Sequence, residues 1–260
     1  DATINVVKRF GLGALSDTAC KIDLAGHTLT RKGAGEFMFY PLTMTPGTFK
    51  MTEGKITFQS SGTKTFDMTG TAEETIIHAV GGTINFWNTS YAVPYKVIFD
   101  KTSDSVYSTL AVGSGSNVPP KNTFSGPVEL RRAVSVKPSG MTVGFTGPLN
   151  LGSFNLERNG DPSGGTMYVR GKVSSSGGNL RSVNAGLMDI SGTDLGALRP
   201  FLQNGDMSID IDSAYVPVFR CANGGAVYGL FRHIRGDLSF SSGDNPRVGE
   251  PVNSFGAYVF

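Results

Sequence analysis

Residues 47–58 read GTFKMTEGKITF, and the fold turns on how Glu53-Gly54 is read. Phe49 and Met51 alternate with Lys50 and Thr52, and Ile56 and Phe58 alternate with Lys55 and Thr57. A period of two residues describes two short strands, each with one apolar face. If the strands fold back on each other, Met51 faces Ile56 and Phe49 faces Phe58 across a two-residue hairpin. Glutamate is poor chemistry at the first position of a type I′ turn, which takes Asn, Asp or Gly. The other reading makes Glu53-Gly54 a corner between successive strands of a coil. The stretch taken by itself leaves both open.

Elsewhere the same alternation recurs, in TFDMTG (65–70), TINFWN (83–88), TMYVRGKV (166–173), MSIDID (207–212) and DLSF (237–240). Helical periodicity is confined to GTDLGALRPFL (192–202), where Pro200 and two glycines limit it to a turn or two. Strands begin with one formula, a glycine followed by a small or constrained residue. It appears at Gly26, Gly47, Gly62, Gly82, Gly126, Gly147, Gly165 and Gly205. Repetition of one unit at ragged spacing suggests a solenoid. SGSNVPPKN (114–122) reads as a loop or sub-boundary within a single β-rich domain spanning 1–260.

Composition narrows the field further. The 260 residues include 35 glycines, and only 17% are charged, so the chain is neither collagen-like nor disordered. A net charge of +2 with mixed signs gives no footprint for nucleic acid. No apolar run reaches the ~18 residues of a membrane-spanning helix. The opening DATINVV carries no signal-peptide pattern and reads as the start of a mature or excised chain. Cys20 and Cys221 exclude a disulfide framework or a Cys-rich zinc site, and read as buried thiols. Abundant Gly, Ser, Thr and Asn suggest an extracellular or bacterial cell-surface protein, with surface glycans or further copies of the chain as partners and no cofactor.

Three short stretches carry a resemblance. IDLAGHTLT (22–30) resembles a common rung of autotransporter passenger domains. NTFSGPVEL (122–130) is similar to the core of the autotransporter-associated strand repeat, and NGGAVYG (223–229) resembles an element of polymorphic outer-membrane protein repeats. The resemblance implies a right-handed parallel β-helix at a cell surface and implies no activity. Repetition and resemblance together place Glu53-Gly54 at a corner of such a helix. An antiparallel β-sandwich or jelly roll is the alternative.

Candidate chemistry gathers at few places. In MSIDIDS (207–213), Asp210 and Asp212 share one strand face, a pattern that suits calcium or an acid–base pair acting on a glycosidic bond. Arg232 and Arg235 follow in FRHIRGD, and pectate lyase-like helices use Asp pairs and Arg on such a face. The Asn-Thr-Asp and Gly-His-Gly elements of the related hydrolases are absent, and solvated aspartates explain the face equally well. Arg235-Gly236-Asp237 is too short a match to carry an adhesive reading. Trp87 lies opposite in phase to Phe86. With Phe86 inward it is exposed and, with Tyr91, suits the stacking of sugar rings; the alternative is that it caps the core under a neighbouring loop. His27, His78 and His233 show no metal-ligand spacing. The closing GAYVF resembles the last strand of an outer-membrane barrel, although regular ten-residue amphipathic strands are missing. The expected function is a noncatalytic β-helical module for adhesion or for fibre or surface-layer assembly. A polysaccharide-degrading lyase or tailspike-type depolymerase is the alternative.

Overall fold

Glu53-Gly54 is a corner. In the computed structural model, Gly47–Met51 does not pair with Lys55–Gln59. It lies in parallel between Thr28–Lys32 and Thr75–Ala79, with Phe49 beside Leu29 and Ile77. Lys55–Gln59 lies in parallel between Glu36–Phe39 and Thr83–Trp87. The antiparallel sandwich is thereby replaced by a parallel β-solenoid.

The structure describes residues 1–12, 20–40, 42–59, 67–87, 92–100, 108–112, 121–138, 142–159, 166–183 and 187–190. Beyond these it describes the backbone of six short strands between 201 and 259. Among the described residues, each of the first eight coils contributes one strand to each of three faces, and the last two contribute to the second and third. The first face is an eight-stranded sheet and the second a ten-stranded sheet. The third face is divided between a three-stranded and a seven-stranded sheet. Thr28–Lys32, Glu36–Phe39 and Leu42–Met44 make one coil, and Gly47–Met51 begins the next. Lys121 and Asn122, at the end of the suspected loop 114–122, belong to the strand Lys121–Phe124, and residues 114–120 lie outside the described set. Tyr258–Val259 of the closing GAYVF pairs in parallel with Phe231–Arg232, unlike the antiparallel neighbours of a barrel strand.

Alternation decides what fills the coil. Phe49, Ile77, Val97, Val128, Leu149 and Val173 stack as one inward row of the first face. Phe39, Phe58 and Phe86 do so on the second. All of these are buried. Rings of neighbouring coils touch, with Phe37–Phe49 at 4.8 Å, Phe58–Phe86 at 5.4 Å and Phe124–Phe145 at 5.2 Å. Each such pair adds roughly 0.5–1.5 kcal/mol beyond the burial of its area. The core is therefore a column in which each coil packs chiefly on its two neighbours.

The corner explains the residues of the opening stretch. Gly33, Gly54 and Gly82 hold φ of +92°, +75° and +84° at equivalent corners of three successive coils. A Cβ on Gly82 would lie 2.3 Å from the Gly54 carbonyl oxygen. Glu53, unsuited to a hairpin, accepts the Gly33 N–H on its carboxylate at 2.8 Å and so ties its corner to the coil before. Its backbone carbonyl accepts a hydrogen bond from Arg31, which donates also to the Gly35 carbonyl. Arg31 is fully buried at an inward position beside Met51. Burial weakens its hold on the proton, and the charge of Glu53 opposes that effect. Arg132 repeats the arrangement further along, donating to the Asp100 carbonyl at 3.1 Å.

The two cysteines occupy opposite ends of the column. Cys20 belongs to the first coil, in Cys20–Ile22, and Cys221 to the last strand of the ten-stranded sheet, Arg220–Ala222. Strand spacing of about 4.8 Å separates these coils by roughly 40 Å, far beyond the ~7 Å reach of a disulfide.

Candidate functional site

The richest cluster of ionisable side chains among the described residues lies outside the coil, on the first face and the corners on either side of it. Glu73 and His78 come from the coil of Thr75–Ala79, Lys96 and Asp100 from the next, and Glu129 and Arg131 from the one after. Parallel pairing sets His78 beside Ile98 and Ile98 beside Glu129, so the outward side chains of three coils form one ridge.

Charges along the ridge alternate. Lys96 Nζ stands 2.6 Å from Glu73 and 3.5 Å from Glu129. Arg131 Nε donates to Glu129 at 2.7 Å, and Arg131 Nη1 lies 3.6 Å from Asp100. His78 Nε2 is 2.9 Å from Asp100 Oδ2. The hydrogen bond to Glu73 raises the Lys96 pKa against the opposing effect of burial, with Glu129 adding to the rise. Burial alone would raise Glu129, but the hydrogen bond and charge of Arg131, together with Lys96, hold it below the ordinary carboxylate range. The hydrogen bond to Glu129 likewise raises Arg131.

Two kinds of chemistry fit such a ridge. A histidine oriented by a carboxylate can move a proton. An alternating chain of charges can instead clamp neighbouring coils. Here every acidic group of the ridge has a basic neighbour, and most of those contacts cross from one coil to the next. The clamp accounts for all six side chains, whereas proton transfer would use two. A second clamp lies on the second face, where Glu36 meets Arg9 at 2.8 Å, Lys55 at 3.0 Å and the Thr57 hydroxyl. Burial would raise the Glu36 pKa, and these hydrogen bonds together lower it.

The residues singled out from sequence fall differently. Asp210, Asp212, Arg235, Tyr91 and His233 lie outside the described residues. Arg232 is in the strand Phe231–Arg232 and Trp87 in Thr83–Trp87, beside Gln59, but neither side chain is among those described. Phe86 is buried. His27 is exposed at the corner before Thr28–Lys32. The ridge itself was missed, because His78 and Asp100 are 22 residues apart in the chain. The signal was present in KVIFD (96–100) and PVELR (127–131), which align once Phe99 is set against Leu130.

Among the described residues no three His, Cys, Asp or Glu side chains converge as a metal ligand set would, and no helix is long and apolar enough to cross a membrane. No family model, curated protein or solved structure matches the chain. What the structure shares with the resemblance read from the short rung motifs is the parallel solenoid, and no match supports an autotransporter or pectate lyase-like assignment.

Proposed function

We propose that this chain is a noncatalytic β-helical module of an extracellular or cell surface, serving adhesion or the assembly of a fibre or surface layer. The observation that carries the reading is the ridge: its charged side chains are spent on one another, coil to coil, and not gathered around a space for a reacting molecule. A rigid column with flat polar faces suits repeated contacts with a repetitive partner, such as a surface glycan or further copies of itself. Two measurements test this together. Electron microscopy of the purified chain should show rods, or filaments built from them. A panel of acidic and neutral polysaccharides, offered with and without calcium, should show no chain shortening. Cleavage that disappears in the Asp210→Asn/Asp212→Asn variant would replace the module by a depolymerase.

A further inference from the structure

The coil that begins the described column consists of Ala2–Asn5, Arg9–Leu12 and Cys20–Ile22. Each of these strands stands at the end of its sheet and, among the described residues, pairs only with the coil after it. Its apolar rows are poorly covered. Phe10 lies 5.3 Å from the Phe37 ring yet stays 39% exposed, and Ile4 is only partly buried. Phe37 and Phe49, on the next two coils, are fully buried. Backbone pairing and the burial of Val6, Ile22 and Leu24 hold the first coil with little margin.

Three carboxylates add a tie beside each face. Asp1 accepts the Thr28 N–H at 2.9 Å, and the Asp1 amine and the exposed His27, next to Thr28 in the chain, are the other titratable groups at that contact. Glu36 of the second coil meets Arg9 of the first at 2.8 Å, with Lys55 at 3.0 Å and the Thr57 hydroxyl on its other side. Asp23 of the first coil accepts the Thr45 hydroxyl of the second at 2.8 Å, beside Lys21 at 3.3 Å and the Ala25 N–H at 3.2 Å. The Thr45 hydrogen bond, followed by Lys21, holds Asp23 below the ordinary carboxylate range. Burial would raise Glu36, and its hydrogen bonds to Thr57, Lys55 and Arg9 outweigh that. A tie of this kind is whole above the unfolded pKa, about 3.9 for Asp and 4.3 for Glu, and is lost as pH falls through the depressed folded one. Carboxylates also join the ridge coils, but Ile77, Val97 and Val128 beneath them are at most 2% exposed and packed on coils at both sides. We infer that the first coil is an acid-released end of the column: protonation of Asp1, Asp23 and Glu36 frees its three strands while the ridge coils stay closed. Release opens the edges of Thr28–Lys32 and Glu36–Phe39 and uncovers Phe37, so acid turns a closed end into a row of unpaired backbone donors and acceptors.

Amide hydrogen exchange of the purified chain tests this, read as protection factors so that the intrinsic pH dependence of exchange drops out. At pH 7 the strands Ala2–Asn5 and Arg9–Leu12 should be protected. As pH falls toward about 2, their protection should drop at least about tenfold more than that of Lys96–Phe99 and Val128–Leu130. Asp23→Asn/Glu36→Gln keeps the shape of both side chains without their charge, and should show the acid-like loss already at pH 7. Arg9→Met breaks the Glu36 tie from the other side, at a side chain 70% exposed, and should lower first-coil protection about threefold. First-coil protection that follows the ridge strands at every pH overturns the release. So does an amide variant as well protected as the native chain at pH 7. A native first coil already unprotected at pH 7 frays without any proton, and overturns it too. Should the double variant fail to fold, the Arg9→Met comparison decides, and first-coil protection equal to the native value then overturns the release.

Discussion

Glycine marks two corners of this coil, and for different physical reasons. Where the first face passes into the second, Gly33, Gly54 and Gly82 stand in the left-handed region, which a side chain with a Cβ resists. Where the third face passes into the first, Gly126, Gly147 and Gly171 are not among the residues of positive φ. They are excluded from change by crowding instead. A Cβ on Gly126 would stand 2.2 Å from the Pro94 carbonyl oxygen, one on Gly147 2.2 Å from that of Gly126, and one on Gly171 1.8 Å from that of Gly147. Backbone stacks directly on backbone there, and no flexible group can yield. Between the first and second faces the two demands coincide, since a Cβ on Gly82 would also stand 2.3 Å from the Gly54 carbonyl oxygen, whereas at Gly126, Gly147 and Gly171 the spatial demand acts without the conformational one. Gly26, between the third and first faces of an earlier coil, isolates the conformational demand, with φ of +78° and no atom within 4 Å of a built Cβ.

The largest expected effect tests crowding alone. Gly147→Ala should force two coils apart and break the paired bonds from Thr146 N–H and Gly147 N–H to the Phe124 carbonyl, now 3.0 and 3.2 Å. Overpacking against backbone with loss of neighbouring hydrogen bonds should remove about 3 kcal/mol or more of stability. Thermal or denaturant unfolding measures it. A loss below about 1 kcal/mol would mean that the column can open without strain, and the spatial half of the comparison would fall.

Why the two corners were not told apart in the sequence follows from the same geometry. The strand formula that begins with glycine precedes first-face strands in GPVEL and GPLNL, and a second-face strand in GTINF. Nothing local separates these, since what differs is the coil lying above. Alternation made the facings of Phe49, Met51, Ile56 and Phe58 legible, and all four are buried as expected. It left parallel and antiparallel pairing undecided at Glu53-Gly54, because both put the same residues inward. The partners of Phe49 lie elsewhere in the chain, and the repeat that would reveal them is uneven. Twenty residues separate Leu29 from Phe49, and thirty-one separate Val97 from Val128. The difference falls between strands, with eight residues from Phe99 to Ser108 and eight from Val112 to Lys121, against three and two at the corresponding places of the earlier coil. The ridge was hidden for this reason too, and so was Arg31, whose inward cation contradicts the rule that strand interiors are apolar. Its justification is the pair of corner carbonyls it reaches, which belong to different coils.

A smaller effect tests conformation alone. Gly26→Ala meets no neighbour, so its penalty is that of holding alanine in the left-handed region, about 1 kcal/mol. Gly26→Asn should recover part of that loss, because asparagine visits this region more readily. The difference between the two variants, read from unfolding midpoints under identical conditions, sharpens the comparison. If Asn is no better than Ala at position 26, φ is not what selects glycine there. Applied at Gly147, the same pair should show no advantage for Asn, since crowding ignores dihedral preference.

The smallest effect belongs to the faces between the corners, and it differs in kind because it depends on pH. Glu129 and Glu36 are held below the ordinary carboxylate range in the folded chain, whereas in the unfolded chain they titrate near about 4.3. A depressed folded pKa means that the stabilisation is fully present above the unfolded value and is lost as pH falls through the folded one. Lys96 has the opposite sign: its raised pKa stabilises fully below about 10.4 and is lost only as pH rises beyond the folded value. Between about pH 6 and 9 both contributions are intact, so the Lys96–Glu129 contact should be flat across that range. Lys96→Met should lower stability there by no more than about 1 kcal/mol, the usual limit for half-exposed ion pairs, and by less in high salt. The Lys96→Met variant and the native chain should converge as pH falls through the lowered pKa of Glu129, when that carboxylate becomes protonated and loses its hold on the lysine. Gly147→Ala and Gly26→Ala should show no such convergence, since neither a close approach of backbone nor a dihedral angle carries a proton. A Lys96→Met deficit that persisted unchanged at pH 3 would show that the methylene packing of Lys96, and not its charge, joins the coils on that face.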